Sequence, residues 1–291
     1  MISPFTLHRP STLEEALSLL QRYGEEAKVL AGGSELILLC KMGFLRPAHL
    51  IDIKGISGLD RIELDPETRR VRVGGLVTHR ALELSAVVRE RLPVLAALER
   101  QVANVRIRNV GTLAGNLCFA EPHADPGALL MACDARVKAS SVRGDRSLSI
   151  SDFFVDDYQN ALEQDEILTE IEIPELKDNF TGTYLRFCPA ERPTVGVALL
   201  MAWSNGVCED ARLALGCLGP KPIRAAEVEG NLRQRSSEQI LANAWELGAK
   251  AALLCDPSPD LWGSVEYKRQ IVKTLVSRAV EQLCKRDAAY E

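Results

Sequence analysis

Two side-chain-poor stretches carry the residue types from which a phosphate-bearing ligand could be held. The longer runs from Asn104 to Asp125 and reads NVRIRNVGTLAGNLCFAEPHAD. A short β-branched segment bearing Arg106 and Arg108 gives way to Gly111, Thr112, Leu113, Ala114, Gly115 and Asn116, and an acidic, proline-containing turn ends at Asp125. Glycine has no Cβ and reaches positive φ at little cost, so a ligand can approach the main chain closely. Free N–H groups in such a bend form a concavity suited to phosphate. A tight connection between packed elements would need the same small residues for space alone, and on this stretch by itself both readings stand.

The shorter stretch begins as a buried strand, Ala27 to Ala31 (AKVLA), and runs into Gly32-Gly33-Ser34 followed by a helical ELILLCKMG. Strand, double glycine and helix aim backbone amides and a helix N-terminus at one point, which favours an anion. An ordinary β–α turn is the alternative. Neither the dinucleotide pattern Gly-x-Gly-x-x-Gly nor the Walker Gly-Lys-Ser/Thr is present. The eight cysteines (Cys40, Cys118, Cys133, Cys188, Cys208, Cys217, Cys255, Cys284) include no Cys-x-x-Cys pair, a spacing that suits neither zinc nor an iron–sulfur cluster. Reduced thiols in a cytoplasm are expected for a chain this long. The four histidines are dispersed, and no metal site is expected from them.

The elements that must position these stretches follow from patterning. A chain of 291 residues, 46% apolar and 26% charged, is an ordinary folded protein with two or three lobes. A net charge of −5 argues against a nucleic-acid binder. The start, MISPF, lacks a basic and apolar leader, so no secretory signal is expected. No apolar run approaches the roughly 20 residues that span a bilayer. Thr12 to Tyr23 predicts a helix opened by a capping box of Thr12 and Glu15. HLIDI predicts a strand, and RIELDPETRRVRVGGLV a hairpin around Asp65 to Thr68. Thr78-His79 opens the helix HRALELSAVVRER, which puts His79 on the surface of its first turn. Leu92 to Ala103 and Pro126 to Cys133 read as helices, Ala135 to Ser141 and Glu166 to Ile173 as strands. Beyond the linker PELKDN, GTYLRF, TVGVALLMAWS and CEDARLALGCLG predict three antiparallel strands, with Asn205-Gly206 as a hairpin turn. Helices are expected from about 237 to 255 and 264 to 285, completing an α+β lobe.

In this order and with these flanks, AGGSEL, HLIDI, GGLVTHRAL, RIRNVGTLAGNLCFAEPHAD and DEILTEIEIP closely resemble the FAD-binding (medium) subunit of molybdenum hydroxylases, the xanthine dehydrogenase and carbon monoxide dehydrogenase family. The resemblance covers essentially the whole chain. It implies an α+β vanillyl-alcohol-oxidase (PCMH)-type FAD-binding domain in two subdomains, 1–54 and 55–176, followed by a C-terminal α+β domain, 177–291, of a three-stranded antiparallel sheet with helices.

Carried over by position, the resemblance assigns Leu30, Ala31, Gly32, Gly33, Ser34, Glu35 and Leu36 to a first loop over the FAD pyrophosphate. Gly111, Thr112, Ala114, Gly115 and Asn116 form a second loop. Asp125 would accept hydrogen bonds from ribityl or ribose hydroxyls, Thr78 and His79 would lie near the adenine side, and Ile167 and Leu168 would touch the flavin or adenine through their backbone. Arg186 stands where many relatives have a lysine beside the isoalloxazine ring, keeping the charge with different reach and geometry; the resemblance implies a flavin-electrostatic role, a cation there stabilising the anionic reduced flavin. The following CPAERPTVGVA departs from the commoner Arg-Arg-x-x-Asp-Ile-Ala pattern.

The first loop lacks the histidine used for covalent flavin attachment, so the resemblance implies noncovalent FAD. It also implies a molybdopterin-binding large subunit and a [2Fe–2S] small subunit as partners, with electrons passing through FAD to NAD or another acceptor. Two rival functions stay distinguishable by experiment. A stand-alone flavin oxidoreductase would turn over a small substrate unaided, and a non-redox nucleotide-binding accessory protein would hold no reducible flavin.

Overall fold

In the computed structural model, which describes residues 2–287, the chain begins with a small parallel sheet. Strand β1 (Thr6–His8), helix α1 (Leu13–Tyr23), β2 (Ala27–Leu30), α2 (Ser34–Met42) and β3 (His49–Asp52) follow one another, and the strands lie side by side as β1-β3-β2. Ala16, Leu17 and Leu20 of α1 pack with Ala27, Ile51 and Ile53 into a first core. Thr12 Oγ1 accepts from the Glu15 N–H at 3.2 Å, as expected of an N-cap. The reciprocal half of the capping box is shifted by one residue. The Glu15 carboxylate accepts from the N–H and hydroxyl of Ser11, at 2.8 and 3.2 Å, because Ser11 offers two donors to one oxygen.

The next elements are β4 (Ile62–Asp65), β5 (Arg70–Gly74), α3 (His79–Leu84), α4 (Ala86–Arg91), α5 (Pro93–Glu99), α6 (Val105–Arg108), α7 (Leu113–Phe119) and α8 (Pro126–Ala132). They lead to β6 (Arg136–Ser141), β7 (Gly144–Ser149), α9 (Ile150–Phe153), β8 (Phe154–Asp156), β9 (Gln159–Asn160) and β10 (Ile167–Pro174). Five of these strands form an antiparallel sheet in the order β4-β5-β10-β6-β7, so the last strand in sequence is central. Helix α8 is buried on every side, which suits its wholly apolar sequence PGALLMA.

The last third holds β11 (Phe180–Phe187), β12 (Val195–Ser204), β13 (Val207–Gly216), β14 (Ile223–Arg224) and helices α10 (Ala226–Leu232), α11 (Ser237–Ala242), α12 (Ala244–Leu253) and α13 (Val265–Asp287). Asn205 and Gly206 sit at φ 49 and 74, the two positive values of a type I′ hairpin turn. The sheet has four strands rather than the three expected. The two-residue β14 pairs with Ala214 and Leu215 after the Gly-Pro-Lys-Pro turn, too short to carry a hydrophobic period. Its two faces belong to different cores. Val195, Val197, Leu199 and Met201 face α10 to α13, whereas Tyr184, Ala198, Leu200 and Ala214 pack into the core that contains α8. Small residues set that contact, since a Cβ on Gly216 would lie 3.0 Å from the Ala128 methyl.

Several helices are shorter than the patterning predicts. HRALELSAVVRER breaks at Ser85 (ψ 126), whose hydroxyl accepts from the Val88 N–H and so caps α4 instead of continuing α3. The run from 237 to 255 breaks at Asn243 (φ −110, ψ 7), whose side chain donates back to the Gln239 carbonyl at 2.7 Å rather than capping the next helix. The β-branched segment before Gly111 folds as a helical turn, because Asn104 Oδ1 accepts from the N–H groups of Arg106 and Ile107.

Candidate functional site

The two glycine stretches meet. A Cβ on Gly32 would lie 2.1 Å from the carbonyl oxygen of Val110 and 2.9 Å from Cα of Gly111, so the first bend can rest on the second only with glycine there. Gly33, at φ 77, turns the chain into α2. The second bend is short, because Ala114, Gly115 and Asn116 already belong to the first turn of α7, capped by Thr112 Oγ1 accepting from the Gly115 N–H at 2.9 Å. It is stitched to the chain before α3. The His79 N–H donates to the Gly111 carbonyl at 3.0 Å, and the Leu113 N–H to the Val77 carbonyl at 3.1 Å.

Polar atoms converge on this junction. A Cβ on Gly111 would meet Ser34 Oγ at 3.3 Å and His79 Cδ2 at 3.4 Å. Ser34 Oγ is buried and has no partner within the described residues. Such a hydroxyl costs roughly 1–3 kcal/mol unless something bonds to it.

His79 is not the surface residue that its place in the helix suggested. It is 3% exposed, and its Nδ1 lies 2.6 Å from Oε2 of Glu99, which is fully buried. The backbone bonds to the second bend bring the first turn of α3 underneath that bend, so His79 points inward and meets α5. Thr78, the cap of α3, lies opposite Thr112 in an isolated bridge. Arg108 is committed to structure, donating to Glu83 at 3.3 Å and to the Val102 carbonyl at 3.0 Å.

Asp125 faces the C-terminal sheet. Tyr184 donates its hydroxyl to one carboxylate oxygen at 2.8 Å, and Arg186 Nη1 donates to the other at 2.6 Å. Burial pushes the Asp125 carboxyl up, and the Arg186 charge and Tyr184 hydroxyl oppose this. Gly196 makes room for the phenol, since a Cβ there would lie 2.4 Å from the Tyr184 hydroxyl. Ile167 and Leu168 open β10 with their side chains buried in different cores and their main chain paired with Ser140 and Ala139 of β6. The strand bulges between Leu168 and Glu170, and the Gly75 N–H donates to the Thr169 carbonyl at 2.8 Å.

Four residues that the sequence did not single out complete the arrangement: Glu99, Glu121, Tyr184 and Arg192. Arg192 reaches Glu35 of α2 at 3.3 Å and Glu121 after α7 at 2.8 Å, tying the segment after β11 to the helices that follow both glycine bends. Tyr158 donates to Glu121 at 2.9 Å, and His123 Nδ1 to the Pro193 carbonyl, also at 2.9 Å. An acid ending the apolar run VLAALE was the available signal for Glu99. For Arg192 it was the departure at CPAERPT. A small recess, partly open to solvent, lies beside Asn116, Glu121, Phe154 and Cys217.

Thiol chemistry does not suit Cys118, Cys133 or Cys217. Burial pushes Cys118 and Cys133 up to about 12, and Cys217 well above its ordinary value. No group of three or more potential metal ligands occurs among the described residues, and no helix among them is long and apolar enough to cross a membrane.

A parallel unit and an antiparallel unit meet at two glycine bends, with an unpaired hydroxyl at the junction, within the region that matches an FAD-binding domain. Residues 3–176 match the profile of the FAD binding domain in molybdopterin dehydrogenase, and residues 190–283 that of the CO dehydrogenase flavoprotein C-terminal domain. The carbon monoxide dehydrogenase medium chain of Hydrogenophaga pseudoflava is 32% identical, over 96% of this chain and 97% of its own length. The nicotine 6-hydroxylase medium subunit of Paenarthrobacter nicotinovorans is also 32% identical, over 93% and 94%. A solved structure of the Hydrogenophaga pseudoflava carbon monoxide dehydrogenase superposes with a TM-score of 0.89, at 31% identity, over 96% of this chain and 97% of that one. The chain belongs to the family of FAD-binding medium subunits of molybdenum hydroxylases. It is an oxidoreductase subunit with FAD as its cofactor, and the partner subunits of such complexes carry molybdopterin and iron–sulfur clusters.

Proposed function

We propose that this chain passes electrons from the [2Fe–2S] clusters of a small subunit, through noncovalently held FAD, to NAD or another acceptor. Substrate hydroxylation falls to a molybdopterin-binding large subunit. The observation that carries the site is the buried, unpaired Ser34 hydroxyl beside Gly32 and Gly111, where a side chain on either glycine would fill the space.

The residues fit the diphosphate of the dinucleotide. Leu30 to Leu36 supply the first bend and the N-terminus of α2, while Gly111, Thr112, Ala114, Gly115 and Asn116 supply the second bend and the first turn of α7. FAD supplies the exchange of electrons between carriers, and the chain supplies orientation and electrostatics. Thr78 and His79 hold the second bend from below. Ile167 and Leu168 offer main-chain atoms. Asp125 acts through Tyr184 and Arg186 as a positioning residue, and it largely offsets the Arg186 charge. Arg186 then contributes directed N–H groups rather than an isolated cation. Segments 1–54, 55–176 and 177–291 act as three units, each contributing to the site, in a cytoplasmic complex.

The test is the flavin content and reducibility of the chain purified with the subunits that accompany it. About one FAD per chain, released by denaturation without proteolysis, is expected. Reoxidation of the reduced complex by NAD, compared with a quinone, identifies the acceptor. Substrate turnover by this chain alone would favour the stand-alone oxidoreductase instead.

A further inference from the structure

Helix α2 is the anomaly of the fold. Its sequence, SELILLCKM, is apolar around most of its circumference, yet Cys40 is its only buried residue. No α2 side chain belongs to any of the three cores. Leu38 is 47% exposed, Met42 59% and, just past the helix, Phe44 74%. A helix apolar on nearly all sides is ordinarily buried. Next to it, where Val110 lies on Gly32, α6 and its end expose Val105, Ile107 and Val110 as well. Apolar surface gathered in this way marks a site of association.

The charges around it indicate the partner's chemistry. Lys41, Arg46 and Arg106 form no ion pair among the described residues, although the chain as a whole carries −5. In a twofold contact with a second copy the same cations would face one another, which disfavours self-association through this face. Carboxylates around an apolar centre would complement it. The face also adjoins the two bends, so a protein covering it lies next to whatever those bends hold.

We propose that the outer face of α2, Phe44 and the exposed side of α6 form the docking surface for the electron-donating partner subunit, which presents an apolar patch rimmed by carboxylates. This assignment rests on reading the chain as the flavin subunit of such a complex. It adds which surface of this chain receives the donor.

The experiment is reconstitution of the complex from separately purified subunits, with affinity and association rate measured for wild type and variants. The double variant M42D/F44S should bind the partner at least about tenfold more weakly, as expected when central apolar contacts are lost. Its melting temperature should stay unchanged, because neither side chain enters a core. K41E/R46E should slow association about tenfold at low salt, a difference that shrinks as salt is added. L261S, which alters a 98% exposed leucine in a C-terminal turn, should behave as wild type. Unchanged partner affinity in M42D/F44S would overturn the assignment. So would a wild-type chain that dimerises alone and loses the dimer on M42D/F44S. Flavin per chain is read separately on the wild-type complex, so a flavin-free complex that still needs Met42 and Phe44 would refute the function and not the docking surface.

Discussion

A methyl group on Gly32 would land 2.1 Å from a backbone carbonyl, which cannot turn aside as a side chain could. Gly32→Val should therefore separate the two bends and destabilise the chain by about 1–3 kcal/mol, the usual range for overpacking. Bound flavin should be lost with it. Ser34→Ala makes the opposite demand on stability. It removes a buried hydroxyl that lacks a partner, so the flavin-free chain should be as stable as wild type or more so by about 1 kcal/mol, while flavin affinity falls about tenfold. Thermal melts and flavin titrations of both variants check these signs together. The glycines themselves were legible in the sequence, as positions where side chains are excluded. The direction of His79 was not, because helical periodicity places a residue on a face without saying what covers that face. Its burial against Glu99 depends on backbone bonds to a bend some thirty residues away.

At the scale of the element, β10 joins the two cores of the FAD-binding region, and Glu166 fixes its start. Burial would raise the Glu166 carboxyl, but the forked bond from Arg146 and the Glu163 N–H outweigh it and hold the group below its ordinary value. The resulting stability is present above the unfolded carboxyl's range and is lost as pH falls through the folded value. Denaturant midpoints should therefore drop as pH falls through and below the ordinary carboxylate range, and Arg146→Ala should flatten that part of the profile. An unchanged profile in the variant would assign the acid sensitivity to other carboxylates. The strand was legible from its partial alternation. Its central place in the sheet was not, since pairing between segments about a hundred residues apart leaves no local pattern. The helix breaks at Ser85 and Asn243 escaped notice for a related reason: apolar period continues across a serine or asparagine that structurally acts as a stop.

Across the whole molecule, the C-terminal sheet completes the core of the FAD-binding region through Tyr184, Ala198, Leu200 and Ala214. A chain cut after Leu176 should accordingly lose its cooperative melting transition and expose α8, read as binding of a hydrophobic dye. A fragment melting like the intact chain would show the cores to be independent. That β12 and β13 pair in this sheet was readable from the Asn205-Gly206 turn between them. That the two faces of the sheet serve different cores was not, because VGVALLMA is apolar at every position and favours neither side. The central claim is that one flavin nucleotide is held where Gly32, Ser34 and Gly111 meet, and flavin stoichiometry in the intact complex tests it most directly. The account predicts about one FAD per chain in wild type and little in a Gly32→Val complex that still contains all its subunits. Full flavin occupancy in that variant, or none in wild type, would contradict it.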